Sequence, residues 1–294
     1  MRPGNRRQPR LELGVILLLS EMFNMGFGTI PRVTLFTILG QVLLYLGVIN
    51  VPWSKWDVCI SGDAVLRSKD YRRFILSTFE HGDDMHLYYN MISFIIKGRT
   101  LENRYGSSNF AVLLAFLVVI TNSFYIALAK IGSEFLEDYS MMRSCAIGFS
   151  GVLFALKVIT TAETAPGTAY IMGLPMPSKY AAWAELLIIH LMVPNASFMG
   201  HLAGILAGCL YTSTFIGKVI DSIISNITGW PMFHEHQSRF TPPSSSSYSN
   251  NYDSQGFRAG AYGSQFGNSG FNGFGPNIFQ RTYTTREQEY GWRY

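Results

Sequence analysis

The sequence predicts an all-α membrane protein: a bundle of six transmembrane helices with a disordered C-terminal tail. Three observations carry that prediction. Of 294 residues, 48% are hydrophobic and only 14% charged, against about 25% charged in soluble domains. Two uncharged apolar runs, Val33 to Ile49 and Phe110 to Ala129, each approach the length that crosses hydrocarbon. From Gln237 to Tyr294 the chain is Ser, Tyr, Gly, Asn and Phe with hardly an aliphatic residue, so the apolar content is concentrated ahead of that tail.

In chain order, Leu11 to Met25 is apolar but interrupted by Glu12 and Glu21. It reads as an amphipathic helix lying in the cytoplasmic interface. A signal peptide is the weaker alternative, because the charges fall inside its apolar region. The spans are then Val33 to Ile49, His86 to Tyr105, Phe110 to Ala129, Ala146 to Thr161, Ala181 to Val193 and Phe198 to Ile216. The division is residues 1–30, a cytosolic N-terminus with its interfacial helix; 31–217, the six-helix core; and 218–294, a cytosolic low-complexity tail. Orientation rests on Arg2, Arg6, Arg7 and Arg10 ahead of the first span, which favour a cytosolic amino terminus. The loop from Asn50 to Met85 mixes both charges and adds little.

On that topology the second, fourth and sixth spans begin on the extracytoplasmic side, each with an unusual residue: His86 and Asn90, then Ser150, then His201. Intramembrane polar groups are costly and face a bundle interior or a water-filled cavity. In "GHLAGILAG", Gly200, Gly204 and Gly208 form a ridge without side chains, and Gly148 and Gly151 flank Ser150. Two such helices approach closely enough to put the Ser150 hydroxyl within reach of the His201 imidazole. A nucleophile with an adjacent base makes an alcohol reactive at neutral pH. Small-residue ridges and a lone buried histidine are ordinary packing features. Their agreement in depth is what turns the reading from packing to chemistry.

"HLYYN", "LENRYG", "GFSG" and "GHLAGILAG" together resemble the rhomboid intramembrane serine proteases, over about residues 30–216. The resemblance implies cleavage of transmembrane substrates near the extracytoplasmic face by a dyad. Ser150 is the nucleophile and His201 the general base and acid. The oxyanion would be held by the Ser150 backbone N–H with the His86 and Asn90 side chains. Gly148, Gly151, Gly204 and Gly208 would serve helix packing, and Glu102 and Arg104 would pair to lock the cytosolic end of the second span. Within the family, "RSCAIGFSGVLFALKV" is most similar to an endoplasmic reticulum subgroup with a long cytosolic tail. That implies an endoplasmic reticulum membrane location, both termini cytosolic, and a part in membrane protein quality control. Tyr71 and Arg72 stand where a Trp-Arg pair is usual, Phe154 replaces a Tyr that packs on the base, and Gly200 replaces an Ala.

The expected partners are transmembrane protein substrates and the lipid bilayer, with cytosolic degradation machinery through the tail and no nucleic acid. No cofactor is expected. No metal site is expected either: His81 and His86 are spaced for different helix faces, and "HEH" at 234–236 reads as solvated. Lys157 and Glu185, both in predicted spans, would satisfy each other. Cys59 and Cys145 fall on one predicted side and are candidates for a bridge, whereas Cys209 reads as a core residue. Asn195 and Asn226 open sequons. The competing function is a proteolytically silent membrane binder of the derlin or pseudo-rhomboid kind, which lacks one or both dyad residues.

Overall fold

The computed structural model describes residues 12–232, apart from 165, 166, 172, 194 and 195. The helices are α1 (Leu13–Met25), α2 (Arg32–Tyr45), α3 (Arg73–Phe79), α4 (Asp84–Tyr105), α5 (Ser107–Phe135), α6 (Ser140–Arg143), α7 (Ser150–Glu163), α8 (Ala181–Met192), α9 (Phe198–Ser213) and α10 (Phe215–Thr228). Between α7 and α8 lies an antiparallel hairpin, β1 (Thr168–Ile171) with β2 (Leu174–Pro177), paired from Thr168↔Pro177 to Ile171↔Leu174. The six expected spans correspond to α2, α4, α5, α7, α8 and α9. Among the described residues α5 is the one helix that is long and apolar enough to cross a bilayer by itself.

The bundle is organised around α4, whose Leu87, Met91, Phe94 and Leu101 are fully buried. Its start is capped by the Asp83 carboxylate, which accepts the His86 N–H at 2.8 Å. At its other end the Glu102 carboxylate accepts the backbone N–H groups of Val33 at 2.9 Å and Thr34 at 2.8 Å. It also accepts the hydroxyls of Thr34 and Ser107. Pro31 at the head of α2 offers no side-chain cap, so Glu102 supplies from a neighbouring helix what α2 lacks. Arg104 donates to the Glu163 carbonyl at 2.6 Å and to its carboxylate at 3.0 Å. Glu102 and Arg104 therefore lock this end through separate partners, Glu102 to α2 and Arg104 to α7, in place of the pair expected between them.

These contacts define two ends, one carrying Glu102 and the other carrying Ser150. Helix α1 corrects the sequence reading. Its Gly14 N–H donates to the Asp84 carboxylate at 2.8 Å, and Glu12 accepts the Tyr45 hydroxyl at 2.7 Å. Both partners lie at the Ser150 end. The helix therefore descends through the bundle against α4, with Val15, Leu18 and Met22 fully buried, instead of lying in the cytoplasmic interface. Glu12, which suggested an interfacial helix, instead has a hydroxyl partner. Gly14 allows the approach, since a Cβ there would fall 2.4 Å from the Asp84 carbonyl oxygen. Among the described residues seven helices run between the ends, one more than expected, and the described chain enters and leaves at opposite ends.

A second correction concerns 218–228, assigned to the tail but helical. The chain bends by 81° between α9 and α10, and Gly217 permits the bend, because a Cβ there would lie 1.8 Å from the Tyr211 carbonyl oxygen. Ile220 and Ile224 are buried against the bundle, and Tyr211 donates to Asp221 at 2.6 Å. Phe215, Val219, Ile223 and Ile227 remain exposed along one side. Asn109 at the head of α5 donates to the Pro231 carbonyl at 3.2 Å, closing the described chain onto the bundle. "HEH", Asn195 and residues 233–294 lie outside the described residues; Asn226 is on α10.

Candidate active site

The His201 imidazole meets the Ser150 hydroxyl with Nε2 and Oγ 3.0 Å apart. The sequence achieves this through the α7–α9 contact. A Cβ on Gly151 would lie 3.0 Å from the Gly200 carbonyl oxygen, and one on Gly208 would lie 2.9 Å from that of Ala155. The absence of side chains lets the backbones touch, as the glycine ridge predicts. Gly200 adds its carbonyl to the contact, but the space its own Cβ would occupy faces only the Ser197 side chain.

Ser150 is the first residue of α7, so its backbone N–H points out of the helix start with the partial positive charge of that terminus. Phe149 ahead of it is buried and packs edge-to-face on Phe94 of α4, ring centroids 4.9 Å apart. On the other side, the Phe154 ring lies 4.7 Å from the His201 ring, tilted by 31°. Phe154 thus keeps the packing role expected of an aromatic ring without a hydroxyl. His201 is buried, and its Nδ1 has no hydrogen-bond partner among the described residues. Among the described residues no carboxylate orients the ring, and the contact is between the two side chains alone.

Gly148 departs from its expected helix-packing role. It precedes α7 with φ +116°, a conformation that favours glycine. A Cβ on it would lie 2.7 Å from His86 Cε1, 2.8 Å from Nε2 and 3.8 Å from Asn90 Nδ2. Its bare Cα is therefore the floor onto which His86 and Asn90 converge, two residues before Ser150. The His86 Nδ1 accepts a long 3.5 Å hydrogen bond from the Gly82 N–H, which leaves Nε2 to carry the proton and act as donor. Asn90 is buried and its Nδ2 has no partner in the described structure. An unsatisfied buried donor costs about 1–3 kcal/mol, a cost that an incoming anionic oxygen would relieve.

Several supporting residues escaped the sequence reading. Thr121 of α5 would sit with its Cγ2 2.9 Å from a Gly151 Cβ, and its buried hydroxyl has no partner among the described residues; the signal was a threonine inside an apolar run. The Ser77 carbonyl accepts the Gly148 N–H at 2.9 Å. His81 sits edge-to-face with His86, centroids 5.1 Å apart. The two were expected on different helix faces, but His81 precedes α4 and is not bound by its geometry. Burial, with repulsion from His86, pushes the His81 imidazole well below the usual range, opposed by the Phe79 carbonyl. In the same loop, burial pushes the Asp70 carboxyl up, but hydrogen bonds from Arg73 and Arg72 outweigh it and hold it low. Lys157 and Glu185 form the expected ion pair between α7 and α8. Among the described residues no group of three or more His, Cys, Asp or Glu is placed to hold a metal.

Residues 68–218 match the model of the Rhomboid domain. The chain belongs to the rhomboid family. Rhomboids are multi-pass membrane proteins, so the bundle axis runs across the bilayer. Rhomboid-related protein 4 of Mus musculus is 43% identical over 218 residues, covering 74% of this chain and 68% of its own. Rhomboid-like protein 14, mitochondrial, of Arabidopsis thaliana is 42% identical over 216 residues, 71% of this chain and 62% of its own. Rhomboid-type serine protease 2 of Yarrowia lipolytica is 26% identical over 183 residues, 60% of each chain.

Proposed function

We propose that this rhomboid is an intramembrane serine endopeptidase that cleaves transmembrane proteins with a Ser150–His201 dyad. The observation that carries the reading is the 3.0 Å contact between Ser150 Oγ and His201 Nε2 in a buried site. His201 removes the hydroxyl proton as Ser150 attacks the scissile carbonyl, then returns it to the leaving amine as the acyl-enzyme forms. Water, activated by the same imidazole, hydrolyses that ester. The Ser150 N–H, His86 Nε2 and Asn90 Nδ2 receive the oxyanion; one such donor is typically worth about 3 kcal/mol of barrier.

The reading extends to an endoplasmic reticulum location and a part in membrane protein quality control, with the tail engaging cytosolic degradation machinery. A disulfide at the Ser150 end, Cys59–Cys145, supports an oxidising compartment on that side. The competing reading, a silent membrane binder, requires loss of a dyad residue, and both are present. A fluorophosphonate probe applied to the purified full-length protein tests the choice. Labelling of Ser150, lost in Ser150→Ala and His201→Ala proteins that still insert, is the expected result. Cleavage of a transmembrane reporter by purified Ser150→Ala protein would overturn the mechanism.

A further inference from the structure

The long-range backbone ties on the segment entering α7 lead to other parts of the Ser150 end, three of the four to the region between α2 and α4. Ile60 and Ala146 exchange two hydrogen bonds, 2.8 Å and 3.0 Å, as an isolated bridge. Gly148 is held by the Ser77 carbonyl at 2.9 Å, and the Ser144 carbonyl by the Tyr125 hydroxyl at 3.0 Å. Next to the bridge, the Cys59–Cys145 disulfide joins the same two segments covalently across 86 residues of sequence. On the loop side, Arg73 donates to the Cys59 carbonyl at 2.6 Å and to Asp70 at 2.9 Å, and Asn122 of α5 donates to the Phe74 carbonyl at 2.6 Å. The loop is thus itself anchored, and the disulfide transmits that anchorage to a point five residues before Ser150.

We propose that Cys59 and Cys145 are positioning residues of the active site: their disulfide sets the register of residues 145–149, and with it the Ser150 hydroxyl over the His86–Asn90 floor, so that reduction reversibly lowers catalysis. The proposal rests on the serine protease reading above. An isolated two-residue pairing is marginal in itself; a covalent link one residue away turns it into a high effective-concentration contact. When the link opens, Ile60 and Ala146 separate and Gly148 keeps only the Ser77 tie. Its φ +116° conformation, on which the convergence of His86 and Asn90 depends, is then no longer enforced from both sides. The chemistry is a two-electron exchange with a dithiol. One dithiol thiolate attacks a sulfur of the bridge and the second releases the product, leaving two cysteine thiols and an oxidised dithiol. The dyad itself loses no atom, so its pairing survives while its alignment to the oxyanion donors degrades. Misplacement on the ångström scale costs up to about a hundred-fold in rate.

The test uses full-length Cys209→Ser protein, so that the only thiols are those of the bridge, oxidised, then reduced with dithiothreitol, then reoxidised. Fluorophosphonate labelling of Ser150 and cleavage kinetics are measured below the unfolding transition of the reduced form. The expected result is a fall of about ten-fold or more in labelling rate and kcat, KM within about two-fold, and recovery on reoxidation. Equal rates in both redox forms overturn the proposal. So does a loss that tracks unfolding in tryptophan fluorescence, which assigns the bridge a purely structural role. Cys59→Ser/Cys145→Ser protein provides a second, reductant-free comparison with the same expected loss. An oxidised protein that fails to label at all refutes the protease reading instead.

Discussion

The carbonyl oxygen of Gly151 lies 2.0 Å from where a Cβ on Gly204 would stand. No side chain fits there unless α7 and α9 part, and the contact between those helices is what holds Ser150 against His201. Gly204→Ala is therefore expected to lower stability by about 1–3 kcal/mol, the usual cost of overpacking, and to reduce Ser150 labelling more than ten-fold. Thermal unfolding and labelling of the same preparation check this together. A labelling rate equal to wild type would show that the glycine contact does not set the dyad distance.

The oxyanion donors separate turnover from affinity. Asn90→Ala removes a donor that is idle in the resting site and engaged only as charge develops. It should lower kcat ten-fold or more with KM nearly unchanged, about 1.4 kcal/mol of barrier at least. Steady-state kinetics on a purified transmembrane substrate decide, and a rise in KM at constant kcat would move Asn90 to substrate binding.

His81 makes a pH prediction. The unfolded chain protonates this histidine near pH 6.5, whereas the folded chain resists until well below that. Its contribution to stability is therefore full above about 6.5 and is lost as pH falls below that value. Unfolding temperatures between pH 8 and 5 should decline less steeply for His81→Leu than for wild type. Parallel declines would mean that other groups govern the acid limb.

Most of the architecture could be read from the sequence because apolar runs mark the spans, and because three short motifs place Ser150, His201, His86 and Asn90 on three of them. What could not be read depended on contacts distant in sequence. The partner of Glu12 is Tyr45, and without it the charge suggested an interface. Glu102 was paired with its neighbour Arg104 because its true role, capping α2 from α4, leaves no local pattern. The hairpin of β1 and β2 is short and half apolar, with Gly173 at φ +81° as its single turn signal. Gly148 read as a packing glycine since sequence spacing says nothing about the sign of φ.

Truncation distinguishes α10 from the residues beyond it. A chain ending at Met232 keeps the buried Ile220 and Ile224 and should insert, label and cleave a purified substrate as the full chain does. A chain ending at Ser213 loses both, at about 1.5–3 kcal/mol for each side chain, and should unfold at a lower temperature. An inactive but correctly inserted Met232 truncation would show that the tail completes the enzyme.

The 81° turn into α10 also acts as a ruler. A helix that leaves Phe215, Val219, Ile223 and Ile227 outside the bundle is expected to lie at the boundary where α9 emerges from hydrocarbon. Twelve residues separate His201 from Ser213, so the dyad stands about 18 Å above that waterline. In a hydrocarbon layer about 30 Å thick, this places the chemistry about 12 Å beneath the opposite surface. Height is thus measured from the side away from the catalytic mouth. In a thicker bilayer the site should sink deeper below its own surface, and the preferred scissile bond should shift along the substrate helix accordingly.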